Sequence, residues 1–223
     1  MKNKTIAIYG DSLSTFEGWV PEDALFYYPI YSQDVKSVDK TWWQLLIKKT
    51  GLKLHTNVSY SGSTVCGNKT SCGINDTRIS KLIVDGKTPD IIIILLGIND
   101  VCSGHDVNEF KETYKQMLFK IKTICPNADI FINNLHYETA SDGSGNAPES
   151  YTHIGLRDKY NKVFKEIAKE ENIPLIDLES VITKETDFFG NKMNVGDNIH
   201  FKAKGMETVC NEAYNVLIKF YKQ

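Results

Sequence analysis

The sequence lacks most of the marks of a membrane, nucleic-acid or cofactor protein. Its longest apolar run covers residues 91–96, far short of the roughly 20 residues a spanning helix needs. It has no excess of one charge: 26 Lys and Arg against 28 Asp and Glu leave a net charge of −2. That excludes the basic field by which proteins follow a phosphate backbone. Its five cysteines are odd in number and include no Cys-x-x-Cys pair, so neither a disulfide framework, a zinc ribbon nor a thioredoxin-type site is expected. Reduced thiols in a cytoplasmic protein are the expected reading, with a Cys66–Cys72 bridge as the alternative. Gly-x-Gly-x-x-Gly and Gly-x-x-x-x-Gly-Lys-Ser/Thr are both absent, which argues against dinucleotide and nucleoside-triphosphate binding. The first residues show no apolar h-region and no small-residue cleavage site, so no signal peptide is expected. Neither an internal repeat nor a Pro/Ser-rich linker divides the chain, and 223 residues suit a single domain, residues 1–223.

What is present is an alternation of short apolar segments and amphipathic ones. Segments 5–9, 52–58, 90–96, 128–133 and 173–176 read as strands, two of them as continuous apolar runs suited to burial on both faces. Phe110, Tyr114, Leu118 and Ile121 recur at helical spacing, as do Leu156, Tyr160, Val163, Phe164 and Ile167, and then Met206, Val209, Ala213, Val216, Leu217 and Phe220. A further helix holding Trp42, Trp43, Leu45, Leu46 and Ile47 is expected to stop at Gly51. This order predicts a three-layer αβα fold of the flavodoxin-like kind, with about five parallel strands and helices on both faces. Segment 14–39 is rich in aromatics without a clear period, and 139–151 reads as a surface loop.

Ligands of open parallel sheets bind beyond the carboxyl ends of the strands. Gly10-Asp11-Ser12-Leu13-Ser14 follows the first strand, Ser59-Tyr60-Ser61-Gly62-Ser63 the second, and Gly97-Ile98-Asn99-Asp100 the third. Asp197-Asn198-Ile199-His200-Phe201 precedes the last helix. Gly10-Asp11-Ser12-Leu13, Gly62, Gly97-x-Asn99-Asp100 and Asp197-x-x-His200 together resemble the four blocks of the SGNH (GDSL) hydrolase family, in family order from residue 10 to residue 205. Phe201 departs from that pattern, which often has proline after the histidine. Segment 14–19, Ser-Thr-Phe-Glu-Gly-Trp, is similar to a bacterial subgroup of the same family.

The same residues make chemical sense unaided. A serine hydroxyl needs a base to become a nucleophile, and an imidazole, with an ordinary pKa of about 6.5, accepts a proton near neutral pH. Ser12 is the expected nucleophile, His200 its base, and Asp197 the carboxylate that orients the imidazole. The Ser12 and Gly62 N–H groups and the Asn99 amide are the expected oxyanion donors. Taken singly, Ser12 could cap a helix, Gly62 serve a turn, Asn99 brace a loop and His200 sit on the surface; convergence on one sheet edge is what favours catalysis. Asp11 and Asp100 are expected to anchor their loops through backbone N–H groups. Phe16, Trp19 and His136 are candidate substrate contacts, while Cys102 reads as a buried filler.

The expectation is therefore a serine ester hydrolase that uses no metal or other cofactor. Its partner is a small-molecule ester, with O-acetyl groups on a carbohydrate as the first candidate by family analogy. Neither nucleic-acid binding nor membrane insertion is expected, and oligomeric state is not indicated. A lysophospholipase or thioesterase, an acyltransferase, and a non-enzymatic flavodoxin-like binding module are the alternatives.

Overall fold

The continuous apolar run at 91–95 forms a strand, because a strand covered on both faces has no solvent side. The computed structural model describes residues 1–137, 156–183, 197 and 199–222; the loop expected at 139–151 lies outside them. Strands β1 (Thr5–Gly10), β2 (Lys53–Asn57), β3 (Ile91–Leu95), β4 (Asp129–Asn133) and β5 (Leu175–Ile176) pair in parallel, in the order β2-β1-β3-β4-β5. Every residue of the central β3 is buried, whereas the edge strand β2 is mostly half-exposed. Each aliphatic side chain buried on β3 contributes about 2 kcal/mol before entropy is charged against it.

The helices are α1 (Trp42–Thr50), α2 (Asp76–Ser80), α3 (Ile98–Ser103), α4 (Val107–Ile124), α5 (Leu156–Glu170), α6 (Leu178–Val181) and α7 (Ala203–Tyr221). The chain steps outward from β1 to β2, then back across to β3, β4 and β5. Right-handed crossovers put helices from the two directions on opposite faces. Accordingly α1 packs with α7, and α4 with α2 and α5. Gly51 caps α1 at φ +74°, as its position suggested. Helices α2, α3 and α6 escape a sequence reading because they are too short to show an apolar stripe. Segment 14–39 crosses the surface without helix or strand until a 3₁₀ turn at Val38–Lys40.

Strand order reverses at β1, which opens a crevice between the ends of β1 and β3. Two polar devices fix the backbone there. Ser14 is pinned by three donors: Trp42 Nε1 to its Oγ at 3.1 Å, and Trp43 Nε1 and Asn57 Nδ2 to its carbonyl at 3.1 and 2.9 Å. Arg78, fully buried on α2, joins the strand ends themselves. Its guanidinium donates to the carbonyls of Gly10 (2.6 Å), Val58 (3.0 Å) and Ser71 and to the Ser63 hydroxyl (3.0 Å), and lies against the ring of Tyr9. Among the described residues no carboxylate forms a direct ion pair with it. Carbonyl dipoles therefore stand in for water around a buried charge.

Two expected outcomes test this frame. Arg78→Met removes the four hydrogen bonds that the guanidinium donates and should cost about 3 kcal/mol, lowering Tm by about 6–12 °C. Arg78→Lys should not restore it, since an ammonium cannot spread planar donors over four acceptors. A Tm within 2 °C of the parent would show that water substitutes for the guanidinium. Asp11 beside it is pushed up to about 7 by burial, against the opposing pull of the Leu13 N–H and the Arg78 charge. A carboxyl raised in the fold favours the protonated folded state, so stability is lost as pH climbs from about 4 to 7. Urea melts of Asp11→Asn should therefore gain on the parent between pH 4 and pH 8; a pH-independent difference would refute the assignment.

Candidate active site

Ser12 opens a single 3₁₀ turn, Ser12–Ser14, directly after β1. Asp11 caps that turn, its Oδ1 accepting the Leu13 N–H at 3.0 Å, as its position suggested. Across the crevice His200 Nε2 stands 2.7 Å from Ser12 Oγ. His200 Nδ1 lies 2.9 Å from Asp197 Oδ2 and 3.1 Å from Oδ1, and the His200 N–H donates to Oδ1 at 2.7 Å. Burial disfavours the ionised Asp197, but bonds and charge from His200 and a bond from Tyr27 outweigh it and hold the carboxyl well below the usual carboxylate range. An ionised Asp197 fixes the proton on Nδ1, leaving Nε2 as the acceptor that faces the serine.

The remaining candidates meet at the same place. A cavity of about 400 Å³ is lined by Ser12, Ser61, Gly62, Asn99, Cys102, Ser103, Ile199 and His200. The backbone N–H groups of Ser12 and Gly62 have no acceptor among the described residues, which leaves them available to a ligand. Gly62 adopts φ +73°, a conformation that side chains other than glycine's resist, and a Cβ there would meet nothing within 4 Å. Its use is therefore the backbone turn rather than a close approach. Asn99 sits in the first turn of α3, its amide donating to Ser63 O at 3.0 Å with a second hydrogen to spare. Asp100 anchors the neighbouring loop as expected, accepting the Val65 and Cys66 N–H groups at 2.8 and 3.0 Å.

The substrate contacts expected from sequence fare differently. None of Phe16, Trp19 and His136 is among the residues lining this cavity. Phe16 is core, bridged to Tyr28. Trp19, 42% exposed, rests on Trp43 with ring centroids 5.9 Å apart. His136 is buried, with Nε2 2.9 Å from Ile199 O, and burial pulls its pKa down to about 4. Its neutral ring braces the backbone next to His200 instead of facing a ligand. Cys102, expected as filler, lines the cavity because one turn of α3 stacks it three residues beyond Asn99.

Sequence reasoning did not single out Tyr27. Its hydroxyl donates to Asp197 Oδ2 at 2.6 Å, and its ring stacks on the His200 imidazole at 3.5 Å and 6°. A second cavity, of about 380 Å³, lies on that side of His200, lined by Tyr27, Tyr31, Gln33, Asp34, Asp197 and Lys202 among others. Among the described residues one group could offer a metal three ligands, Cys66, His105 and Glu109, whose ligand atoms lie within 4.8 Å of one another. Burial and the Asp100 charge push the Cys66 thiol up to about 12, which opposes the thiolate such a site needs. None of the five cysteines is in a disulfide. No helix among the described residues is long and apolar enough to cross a membrane.

Comparison with known proteins agrees with this fold. A crystal structure described as a GDSL-like lipase from Bacteroides ovatus matches with a TM-score of 0.71 at 25% identity, covering 98% of this chain and 100% of that one. A second, from Bacteroides uniformis, matches at 0.65 and 25%, covering 97% and 96%. A multidomain esterase of Ruminococcus flavefaciens is 25% identical over 138 residues, which are 60% of this chain but only 16% of that protein. The family model for GDSL-like lipase/acylhydrolase matches residues 4–216. With that match running through every segment that meets at Ser12, the chain belongs to the GDSL-like lipase/acylhydrolase family.

Proposed function

We propose that residues 1–223 act as one serine ester hydrolase domain cleaving short-chain carboxylic esters, with O-acetyl groups on a carbohydrate as the first class to test. The observation that carries this reading is the unbroken chain from Ser12 Oγ to His200 Nε2 at 2.7 Å and from His200 Nδ1 to Asp197 at 2.9 Å. Ser12 Oγ attacks the ester carbonyl carbon while His200 Nε2 takes its proton. The oxyanion receives hydrogen bonds from the Ser12 and Gly62 N–H groups and the Asn99 amide, donors that cost no reorganisation at that moment. Collapse expels the alcohol, which takes the proton back from His200 and leaves an acyl group on Ser12. Water then attacks the acyl carbon, His200 accepts its proton, and Ser12 leaves as the regenerated hydroxyl. Asp197 stays ionised throughout and stabilises each imidazolium.

The cavity supports a short acyl group. Its walls are small and polar at Ser61, Asn99 and Ser103, and among the described residues Ile199 is its one bulky aliphatic side chain. The tyrosines, amide and charges of the second cavity suit an alcohol rich in hydroxyl groups.

Two outcomes are expected. Ser12→Ala should lower kcat on p-nitrophenyl acetate by at least about 10⁴-fold, and a fluorophosphonate should add its mass to the peptide containing Ser12; unchanged turnover, or labelling elsewhere, removes Ser12 as nucleophile. Across p-nitrophenyl esters of increasing chain length, kcat/KM should be highest at acetyl to butyryl and fall at least about tenfold by octanoyl, where the chain runs against the wall at Ser61, Asn99 and Ser103 and costs at least about 1.4 kcal/mol of misplacement. A preference for octanoyl would overturn the short-acyl assignment.

A further inference from the structure

Asp197, Ile199 and His200 belong to no helix or strand, yet the imidazole must keep one orientation through two proton transfers. Its local bonds, the Ile199 and His200 N–H groups to Asp197 Oδ1, hold backbone to carboxylate. They do not set the plane of the ring against Ser12, and the Nδ1 bonds to Asp197 hold one edge of the ring without stopping it from tilting. We propose that Tyr27 is the positioning residue that does so, and that it also tunes the charge of the His200–Asp197 pair. This rests on the serine hydrolase reading above.

Tyr27 reaches both partners of the pair at once. Its ring lies parallel to the imidazole with centroids 3.5 Å apart, which blocks rotation out of the plane shared with Ser12. Its hydroxyl donates to Asp197 Oδ2, the oxygen nearest His200 Nδ1. Burial and the Asp197 charge push the Tyr27 hydroxyl well above its ordinary value, so it stays a donor. The same residue is tied to the nucleophile. Its N–H donates to Thr15 Oγ1 at 2.8 Å, and that hydroxyl donates to the Ser12 carbonyl at 2.9 Å. Next in sequence, Tyr28 donates to Phe201 O at 2.8 Å and holds the backbone just past His200. One dipeptide thereby couples two halves of a site that are 188 residues apart.

The two contacts have opposite electrostatic effects. An aromatic face favours the imidazolium that forms in each transition state. A hydroxyl bonded to Asp197 draws off part of the negative charge that would stabilise that same cation. Among the described residues the other groups facing His200 are few: Ser12 in front, the buried His136 behind Ile199 held neutral, and Asp34 with Lys202 across the second cavity. Asp11 lies beneath the Ser12 turn. None of these changes when Tyr27 is substituted, so the two effects can be separated.

The test uses the full chain with Tyr27→Phe and Tyr27→Leu, reading kcat, KM and the pH profile of kcat/KM on p-nitrophenyl acetate, with Ser12→Ala alongside. Tyr27→Phe differs by one oxygen and keeps the stack. Its kcat should fall about 3–10-fold with KM within twofold, and its acid limb should move to higher pH as the full Asp197 charge faces the imidazole. Tyr27→Leu also loses the ring. Its kcat should fall about 30–100-fold, and its limb should lie below that of Tyr27→Phe. Thermal melts establish that each variant is folded. Loss of activity in both variants with superimposable pH profiles would mean a merely structural tyrosine and would overturn the proposal, as would kcat within twofold of the parent in both. If Ser12→Ala retains turnover, the serine reading itself falls; if Ser12→Ala is inactive while the Tyr27 variants match the parent, only this proposal does.

Discussion

A parallel sheet buried on both faces is the constraint on which the rest of this molecule depends. Parallel strands all end on the same edge, and here their order reverses at β1. The segments that follow β1, β2 and β3 are thereby delivered to one crevice, whatever lies between them in the chain. The fourth segment, before α7, reaches it because α7 must return against α1. Ser12, Gly62, Asn99 and His200 meet through the geometry of strands and crossovers rather than through any attraction for one another. The nearly uninterrupted aliphatic strand β3 at the centre holds that geometry in place.

Placing loops at an edge does not make them rigid, and the crevice is stiffened by buried polar groups rather than by more apolar packing. Arg78 binds the ends of β1 and β2 to the loop that carries Gly62. Asp11 closes the nucleophile turn, and Asp100 holds the backbone at Val65 and Cys66. Burial raises the carboxyls of Asp11 and Asp100, to about 7 and about 6, so both are anchors kept at an electrostatic cost. Asp197 shows the reverse: the partners that surround it keep it ionised. Three aspartates within one site thus differ in charge behaviour because of what each faces, and only the one beside the imidazole is held firmly as a carboxylate.

Much of this could be read from the chain alone. Strand positions, the three long amphipathic helices, the cap at Gly51 and the four polar segments at the sheet edge all depend on residues close together in sequence. Apolar periodicity, glycine at a positive φ and short hydrogen-bonded turns are properties of such neighbours, so the αβα fold and the grouping of Ser12, Gly62, Asn99, Asp197 and His200 were legible. That Phe16, Trp19 and His136 do not line the cavity at Ser12 could not be read from sequence, because an aromatic residue or a histidine after a strand has no local signal for the direction it faces. Tertiary packing alone decided that Tyr27, of all the aromatics in segment 14–39, stacks on His200, and that Arg78 is buried among carbonyls. It also turned His136 to the Ile199 carbonyl and Cys102 into the cavity. Most of those contacts join residues far apart in the chain, 170 apart for Tyr27 and Asp197. Their energy depends on how loops settle against one another after the sheet has formed, which no local pattern of residues encodes.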